Sequence, residues 1–150
     1  MTPQIHLHVL ASGSKGNAAL VEGPDVCVLI DCGISRRQLM LRTQAVGLSL
    51  DSIKGVLVTH EHADHVSGLS VFCNKYDGPL YATAGTAGAR KYLCELPFEL
   101  ISCVEQLELA GMEITVFPTS HDVADPIGFR FQTDDDALGY CTDCGELTSL

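Results

Sequence analysis

The sequence predicts a mixed α+β fold, and three of its features support this class. Segments with strand and helix patterns alternate along the chain up to residue 97. From residue 98 onward the candidate segments are consecutive strands. A chain of 150 residues with 46% hydrophobic content is long enough to bury a substantial core. We therefore expect one domain over residues 1–150.

Five strands are predicted in the first part of the chain, where short apolar runs are bounded by turn residues. They are Ile5–Leu10, Ala18–Glu22, Val26–Ile30, Lys54–Val58 and Leu80–Ala82. Apolar and polar residues alternate in the first run, which is the period of a half-buried strand. We therefore expect His6 and His8 on its solvent-facing side. The third run is apolar throughout, as in a buried strand, and ends at Asp31.

Three helices are predicted between these strands. Ser35 provides an N-cap for a helix over Arg36–Ala45, and Gly47 ends that helix. Short helices over Val66–Phe72 and Thr86–Leu93 follow the fourth and fifth strands.

The loop at residues 11–17 is rich in glycine and serine. It lacks the spacing of a Walker A loop, and it leads into a strand where a phosphate-binding loop would open a helix. Two interpretations stay open for it: a tight turn, or a loop that lines the functional site.

Consecutive strands make up the second part of the chain. The candidates are Phe98–Ile101, Met112–Phe117, Ile127–Gln132 and Ala137–Cys141. Thr133–Asp136 is predicted to be a hairpin turn between the last two strands. Its three consecutive aspartates lack the spacing of a calcium-binding EF-hand loop, so we interpret them as a solvated turn.

Composition narrows the possible classes of protein. The first ten residues lack the pattern of a signal peptide and no apolar run is long enough to span a bilayer, so we expect a soluble cytoplasmic chain without membrane contacts.

Seven scattered cysteines predict reduced, partly buried thiols in place of a disulfide framework. The pair Cys141 and Cys144 has no second pair with which to complete a zinc ribbon. The formal charge of −10 argues against a broad non-specific grip on nucleic acid, although bound divalent ions would add positive charge at one spot.

A cluster of metal-ligand side chains follows the fourth strand. It contains His60, His62, Asp64 and His65. Imidazole nitrogens and a carboxylate suit zinc, iron or manganese. The zincin motif HExxH is excluded because Asp64 stands where its second histidine would be. We therefore expect the ligands to come from a loop. For Glu61, between two of the ligand candidates, a plain solvated side chain is the alternative to a role in the site.

Two further ligand candidates follow strands in the second part of the chain. His121 comes after the strand that begins at Met112, and Asp143 comes after the strand that begins at Ala137. Both repeat the arrangement of the first cluster, in which a buried strand delivers a ligand at its end.

These residues resemble the metallo-β-lactamase fold hydrolases, and within them the YycJ/WalJ-type branch. The superfamily resemblance rests on the cluster together with Asp31, His121 and the run Asp143-Cys144-Gly145. The branch resemblance rests on Leu10–Asn17, Ile30–Gly33, Ser120–Asp122 and Asp125–Phe129. Together the matches extend from residue 5 to residue 150. The resemblance implies an αβ/βα four-layer sandwich, a DNA exonuclease activity and a kinship with ribonucleases J and Z.

The resemblance also implies a centre of two divalent ions, zinc or manganese. One ion would be held by His60, His62 and His121, and the other by Asp64 and His65, with Asp143 between them. A metal-bound hydroxide would then attack a phosphodiester. Asp31 would orient a ligand histidine, so Asp31 and Asp64 are the candidate catalytic carboxylates.

Full-length members of the branch continue beyond the point that corresponds to Leu150 and supply a further histidine for the second ion. We therefore expect residues 1–150 to be the N-terminal part of the sandwich, with its C-terminal part missing and the second metal site one ligand short. Two alternatives stay open. The chain could hydrolyse a thioester, a lactone or another small substrate on the same scaffold, or it could be a non-catalytic metal-binding fragment.

Overall fold

A computed structural model describes residues 5–102, 106–118, 127–134 and 136–140 of the chain. Six strands in these ranges form one mixed sheet in the order β1-β2-β3-β4-β5-β6. They are β1 (His6–Ala11), β2 (Ala18–Gly23), β3 (Val26–Ile30), β4 (Ile53–Leu57), β5 (Leu80–Ala82) and β6 (Glu99–Leu100). The first three strands pair antiparallel, and β3 to β6 run parallel.

Parallel neighbours need crossover connections, and the helices supply them. Between β3 and β4 lies α1 (Arg36–Ala45), followed by a 3-10 turn at Leu50–Ser52. Between β4 and β5 lie α2 (Ala63–Val66) and α3 (Leu69–Cys73). Between β5 and β6 lie α4 (Ala84–Ala87) and α5 (Lys91–Cys94). These crossovers return the chain so that the ends of β3 and β4 lie side by side.

The second sheet is an antiparallel meander in the order β10-β9-β8-β7. Its strands are β7 (Gln106–Leu109), β8 (Met112–Pro118), β9 (Ile127–Gln132) and β10 (Ala137–Tyr140). The predicted α+β class is therefore confirmed.

Both faces of the first sheet are covered. One face carries Val21, Val28 and Leu57, which pack against residues of the second sheet such as Ile114 and Phe129. The opposite face packs against the helices, in a second cluster that includes Leu20, Leu29, Val56, Leu39 and Leu69. Neighbouring residues of one strand thus enter different cores, which is why β2 and β3 are apolar without alternation. The described residues build a helix layer, a mixed sheet and an antiparallel sheet.

Two of the predicted helices differ from the observed ones. The helix predicted over Val66–Phe72 is observed as α3, and its first residue, Val66, instead ends α2. Gly68 separates the two helices because it donates its N–H to the Cys32 carbonyl outside the helix, at 2.9 Å. The other predicted helix is divided into two. The segment predicted as Thr86–Leu93 forms α4 and α5 because Arg90 has an extended backbone.

The strand β7 was not expected from the sequence, and it is joined to β8 by a tight hairpin. Ala110 and Gly111 both have positive φ, at 54° and 77°, as a two-residue turn of this kind requires. The predicted strand Phe98–Ile101 is present as the two-residue β6, but it joins the first sheet.

Among the described residues, no helix is long and apolar enough to cross a membrane. Cys27, Cys32, Cys73 and Cys94 are free thiols. Burial raises the pKa of Cys27 to about 11 and of Cys32 to about 12. Cys94 is exposed, and the remaining three cysteines lie outside the described ranges.

Candidate metal centre

The predicted cluster lies at the carboxyl ends of two neighbouring parallel strands. Asp31 directly follows β3, and Thr59 and His60 follow β4 after one further residue. All three side chains are buried, with 1% of their surface exposed. A polar side chain this deeply buried needs hydrogen-bond partners, and these residues supply partners for one another.

The Asp31 carboxylate is the hub of that network. Its Oδ1 accepts from the Thr59 N–H at 2.7 Å, and its Oδ2 accepts from the Thr59 hydroxyl at 2.7 Å. The same Oδ2 lies 2.6 Å from Nδ1 of His65. Asp31 has a left-handed backbone, with φ 61°, which aspartate tolerates better than most residues. Its N–H donates to the Leu57 carbonyl at 2.8 Å.

This network indicates which nitrogen of His60 and of His65 carries the proton. An ionised carboxylate can only accept, so the Asp31 oxygens take the single Thr59 hydroxyl proton and a proton from His65 Nδ1. The Thr59 oxygen can then accept from Nδ1 of His60, at 2.9 Å. In their neutral forms both histidines therefore carry the proton on Nδ1 and the basic lone pair on Nε2, which is a nitrogen that binds metal ions.

Three imidazole rings and one carboxylate converge here. The ring centroids of His60 and His65 are 3.9 Å apart, and those of His60 and His62 are 4.8 Å apart. Asp64 Oδ2 lies 3.7 Å from His65 Nε2. The structure thus brings together the four ligand candidates of the sequence cluster.

The donor set fits a divalent metal ion in its chemistry. Neutral imidazole nitrogens suit zinc, and the carboxylate extends the choice to manganese. Within the described ranges, however, no group of three or more His, Cys, Asp or Glu side chains stands in an arrangement that could hold an ion. The predicted ligands His121 and Asp143 lie outside those ranges, as does the Cys141/Cys144 pair.

One expectation about this cluster was wrong for two of its residues. Asp64 and His65 do not come from a loop, because they lie on the single-turn helix α2, whose N-cap is His62. The His65 N–H donates to the His62 carbonyl at 2.9 Å and closes that turn. The interpretation of Glu61 as a solvated side chain does not hold, since Glu61 is 9% exposed. Arg90, in the segment after α4, donates from Nε to the Glu61 carbonyl at 2.8 Å.

The segment after β3 clamps α2 in place. The Cys32 N–H donates to the His65 carbonyl at 2.8 Å, and the Ser67 hydroxyl donates to the Gly33 carbonyl at 3.1 Å. The approach is so close that a Cβ on Gly33 would lie 1.8 Å from the Asp64 carbonyl oxygen. Only glycine fits at this position.

The glycine- and serine-rich loop contacts the same turn from the other side. The Asn17 backbone N–H donates to the Asp64 carbonyl at 2.7 Å, and the Asn17 side-chain amide donates to Asp64 Oδ2 at 3.0 Å. Both interpretations left open for this loop agree with the structure. The Gly16 N–H donates to the Gly13 carbonyl at 3.3 Å and closes a tight turn, and Asn17 contacts the turn that carries Asp64. Asn17 itself was not singled out from the sequence, where its position directly after Gly16 in a glycine- and serine-rich loop was the available signal.

The two histidines of β1 lie apart from the cluster. His6 is exposed, and His8 Nε2 lies 2.9 Å from Glu22 Oε1 on the neighbouring strand. The exposure of His6 agrees with its predicted place on the solvent-facing side of β1, and His8 is half-buried there.

Comparison with known proteins gives one matching family and several relatives. The family described as "Beta-lactamase superfamily domain" matches residues 27–149. The exodeoxyribonuclease YycJ of Bacillus anthracis is 34% identical over 148 residues, which cover 96% of this chain and 56% of that protein. The exodeoxyribonuclease WalJ of Streptococcus pneumoniae is 31% identical over 93% of this chain and 54% of that protein.

More distant relatives include a ribonuclease Z of Bradyrhizobium diazoefficiens, which is 31% identical over 77% of this chain. Among solved structures, the metallo-β-lactamase MIM-2 superposes with a TM-score of 0.71 at 22% identity, over 93% of this chain and 58% of that one. This likeness establishes the fold alone. The chain spans about half the length of the curated relatives that it matches, at 56% and 54%.

Proposed function

The chain belongs to the β-lactamase superfamily, and from that membership we propose that it is a metal-dependent phosphodiesterase that acts as a DNA exonuclease. The observation that carries the proposal is the Asp31 network, which holds His60 and His65 through their Nδ1 atoms and places them beside the Asp64 carboxylate.

Two divalent ions, zinc or manganese, would be held by His60, His62, Asp64 and His65 together with His121 and Asp143. When bound, such ions supply Lewis acidity and a nucleophile at neutral pH. In this proposal His60 and His62 serve one ion with His121, and Asp64 and His65 serve the other, with Asp143 between them.

The protein groups prepare the site for those ions. Asp31 keeps a proton at His65 Nδ1 and, through the Thr59 hydroxyl, at His60 Nδ1. Each imidazole is then held in the correct tautomer and orientation before a ligand arrives. The burial of these side chains excludes water and strengthens every electrostatic interaction among them. Asp31 therefore acts through the histidines, whereas Asp64 would contact a bound ion directly.

DNA as substrate is supported by the relatives named exodeoxyribonuclease and by the position of Lys15. This lysine is exposed in the loop that contacts Asp64 through Asn17, where an ammonium group can bind a phosphate. Such local positive charge matters because the chain as a whole carries −10. A cytoplasmic location, predicted from the sequence, belongs to the same proposal.

The test uses the purified protein with a 5′-labelled single-stranded DNA, a generic phosphodiester and a thioester, each with and without Mn²⁺. We expect stepwise shortening of the DNA that needs Mn²⁺ and is lost in Asp64→Asn. Asp77→Asn, which changes an exposed aspartate elsewhere on the chain, is the matched control.

Other outcomes point to the alternatives. Turnover of the thioester alone would replace the nuclease with a small-substrate hydrolase on the same scaffold. Stoichiometric metal binding without turnover of any of the three substrates would leave a non-catalytic metal-binding unit.

A further inference from the structure

The Asn17 side chain is held in the space between its own loop and α2. Its Nδ2 donates to Asp64 Oδ2 at 3.0 Å and has two backbone acceptors nearby, the Asp64 carbonyl at 3.2 Å and the Gly13 carbonyl at 2.9 Å. Its Oδ1 accepts from the Gly13 N–H at 3.2 Å. One primary amide therefore connects the loop backbone, the α2 backbone and the Asp64 carboxylate.

The Asp64 carboxylate needs such a partner. Its side chain is 31% exposed, and its distance of 3.7 Å from His65 Nε2 is too long for a hydrogen bond. In the part of the chain that the structure describes, Asn17 donates a side-chain hydrogen bond to this carboxylate. Without that bond the carboxylate could rotate in partly open solvent.

Backbone contacts place Asn17 without help from its side chain. Its N–H donates to the Asp64 carbonyl at 2.7 Å, and its carbonyl accepts from the Gly33 N–H at 2.9 Å. A Cβ on Gly16 would lie 2.5 Å from the Gly33 carbonyl oxygen, so the loop also packs tightly on the segment after β3. A substitution of the side chain therefore removes the contact to the carboxylate while these backbone bonds keep the loop in place.

Asparagine is the side chain that satisfies all of these contacts. It donates to a carboxylate and accepts from a backbone N–H without adding charge. An aspartate has the same shape but would place a second negative charge against Asp64. The hydrogen bond from Asn17 uses one of about four acceptor sites of the carboxylate, which leaves the others for a cation.

We propose that Asn17 is a positioning residue that sets the rotation of the Asp64 carboxylate for a divalent ion. The inference rests on the proposed function, because it assumes that Asp64 is a metal ligand. It assigns to the glycine- and serine-rich loop a role in metal affinity.

The test measures Mn²⁺ binding by titration calorimetry and the unfolding of the metal-free chain in urea. We expect Asn17→Ala and Asn17→Asp to weaken Mn²⁺ binding by about 10- to 100-fold, the usual effect of removing a group that orients a ligand. The smaller loss is expected for Asn17→Asp, because this variant also lacks the donated hydrogen bond but its added negative charge attracts the cation. Asn74→Ala and Asn74→Asp are the matched controls, since Asn74 is exposed at the end of α3, and they should bind Mn²⁺ as the wild type does.

A purely structural role would lower the urea midpoint of the Asn17 variants and leave the Mn²⁺ affinity of the folded chain unchanged, and that result overturns the inference. A wild-type chain that binds no Mn²⁺ would overturn the proposed metal site itself, and this inference with it.

Should the variants fail to fold, the wild type decides. In an ¹H–¹⁵N spectrum, addition of Zn²⁺ should shift the side-chain amide signals of Asn17 and leave those of Asn74 in place. Asn17 signals that do not move would contradict the proposal.

Discussion

Asp31 Oδ2 and His65 Nδ1 lie 2.6 Å apart, and each side chain has no more than 2% of its surface exposed. The two residues are 34 positions apart in sequence and meet because β3 and β4 are parallel neighbours. The same carboxylate accepts two bonds from Thr59, so one buried anion organises both the strand end and the helix α2.

Asp31→Asn should therefore damage both stability and metal affinity. The amide keeps the shape but presents an NH₂ group where the carboxylate accepted from Thr59 and His65. A buried donor left without an acceptor destabilises by about 1–3 kcal/mol, and loss of the histidine's partner weakens metal binding by about 10- to 100-fold. Urea unfolding and Mn²⁺ titration measure the two effects. Asp77→Asn is the control, and equal values for the two variants would contradict the assignment.

Thr59→Val should allow the His60 ring to adopt either neutral tautomer. Valine matches threonine in shape but lacks the hydroxyl that links Asp31 to His60 Nδ1. We expect a loss of about 1–3 kcal/mol in unfolding free energy, since buried polar groups lose partners. The ¹⁵N shifts of the His60 ring should move toward a mixture of the two tautomers. Thr59→Ser keeps the hydroxyl and should retain the wild-type spectrum. A wild-type spectrum in Thr59→Val would show that the Thr59 hydroxyl does not set the His60 tautomer.

The sequence predicted the strands and α1 well because local signals agree with tertiary packing there. Ser35 caps α1 as expected, its Oγ accepting from the Gln38 N–H at 3.2 Å. The apolar runs of β2 and β3 were recognisable because both faces of the sheet are buried. The cluster at residues 60–65 was recognisable because its ligand types are adjacent in sequence.

Features that depend on distant contacts could not be predicted in this way. Asn17 and Asp64 are 47 positions apart, and nothing local to either residue indicates that they bond. Arg90 Nε and the Glu61 carbonyl are likewise 29 positions apart, and nothing local to Glu61 indicates this contact. The strand β7 was missed for another reason: its sequence Gln-Leu-Glu-Leu alternates polar and apolar residues as a half-buried strand does, but the run has four residues and its pairing with β8 is what identifies it.

Gly33→Ala tests the close approach that holds α2. The new methyl group would meet the Asp64 carbonyl oxygen and carbon, at 1.8 and 2.4 Å, both of which are backbone atoms that cannot step aside. Overpacking of this kind destabilises by about 1–3 kcal/mol or more, and displacement of Asp64 should also weaken Mn²⁺ binding. Gly88→Ala is the control, because its methyl group would lie 3.3 Å from its first contact. Thermal unfolding and Mn²⁺ titration compare the two variants, and equal stability would show that α2 can shift freely.

Cys27 should make the unfolding free energy fall with rising pH in alkaline solution. Burial, reinforced by the charge of Glu22, raises the pKa of this thiol from 9.0 to about 11, with Lys54 acting in the opposite direction. The folded state therefore favours the neutral thiol, and the stabilisation that this provides is complete below pH 9 and is lost as the pH rises toward 11. Urea unfolding across that interval should show a smaller decline for Cys27→Ala than for the wild type. Cys94→Ala changes an exposed thiol and should decline as the wild type does, and an unaltered slope in Cys27→Ala would mean that another group carries the alkaline transition.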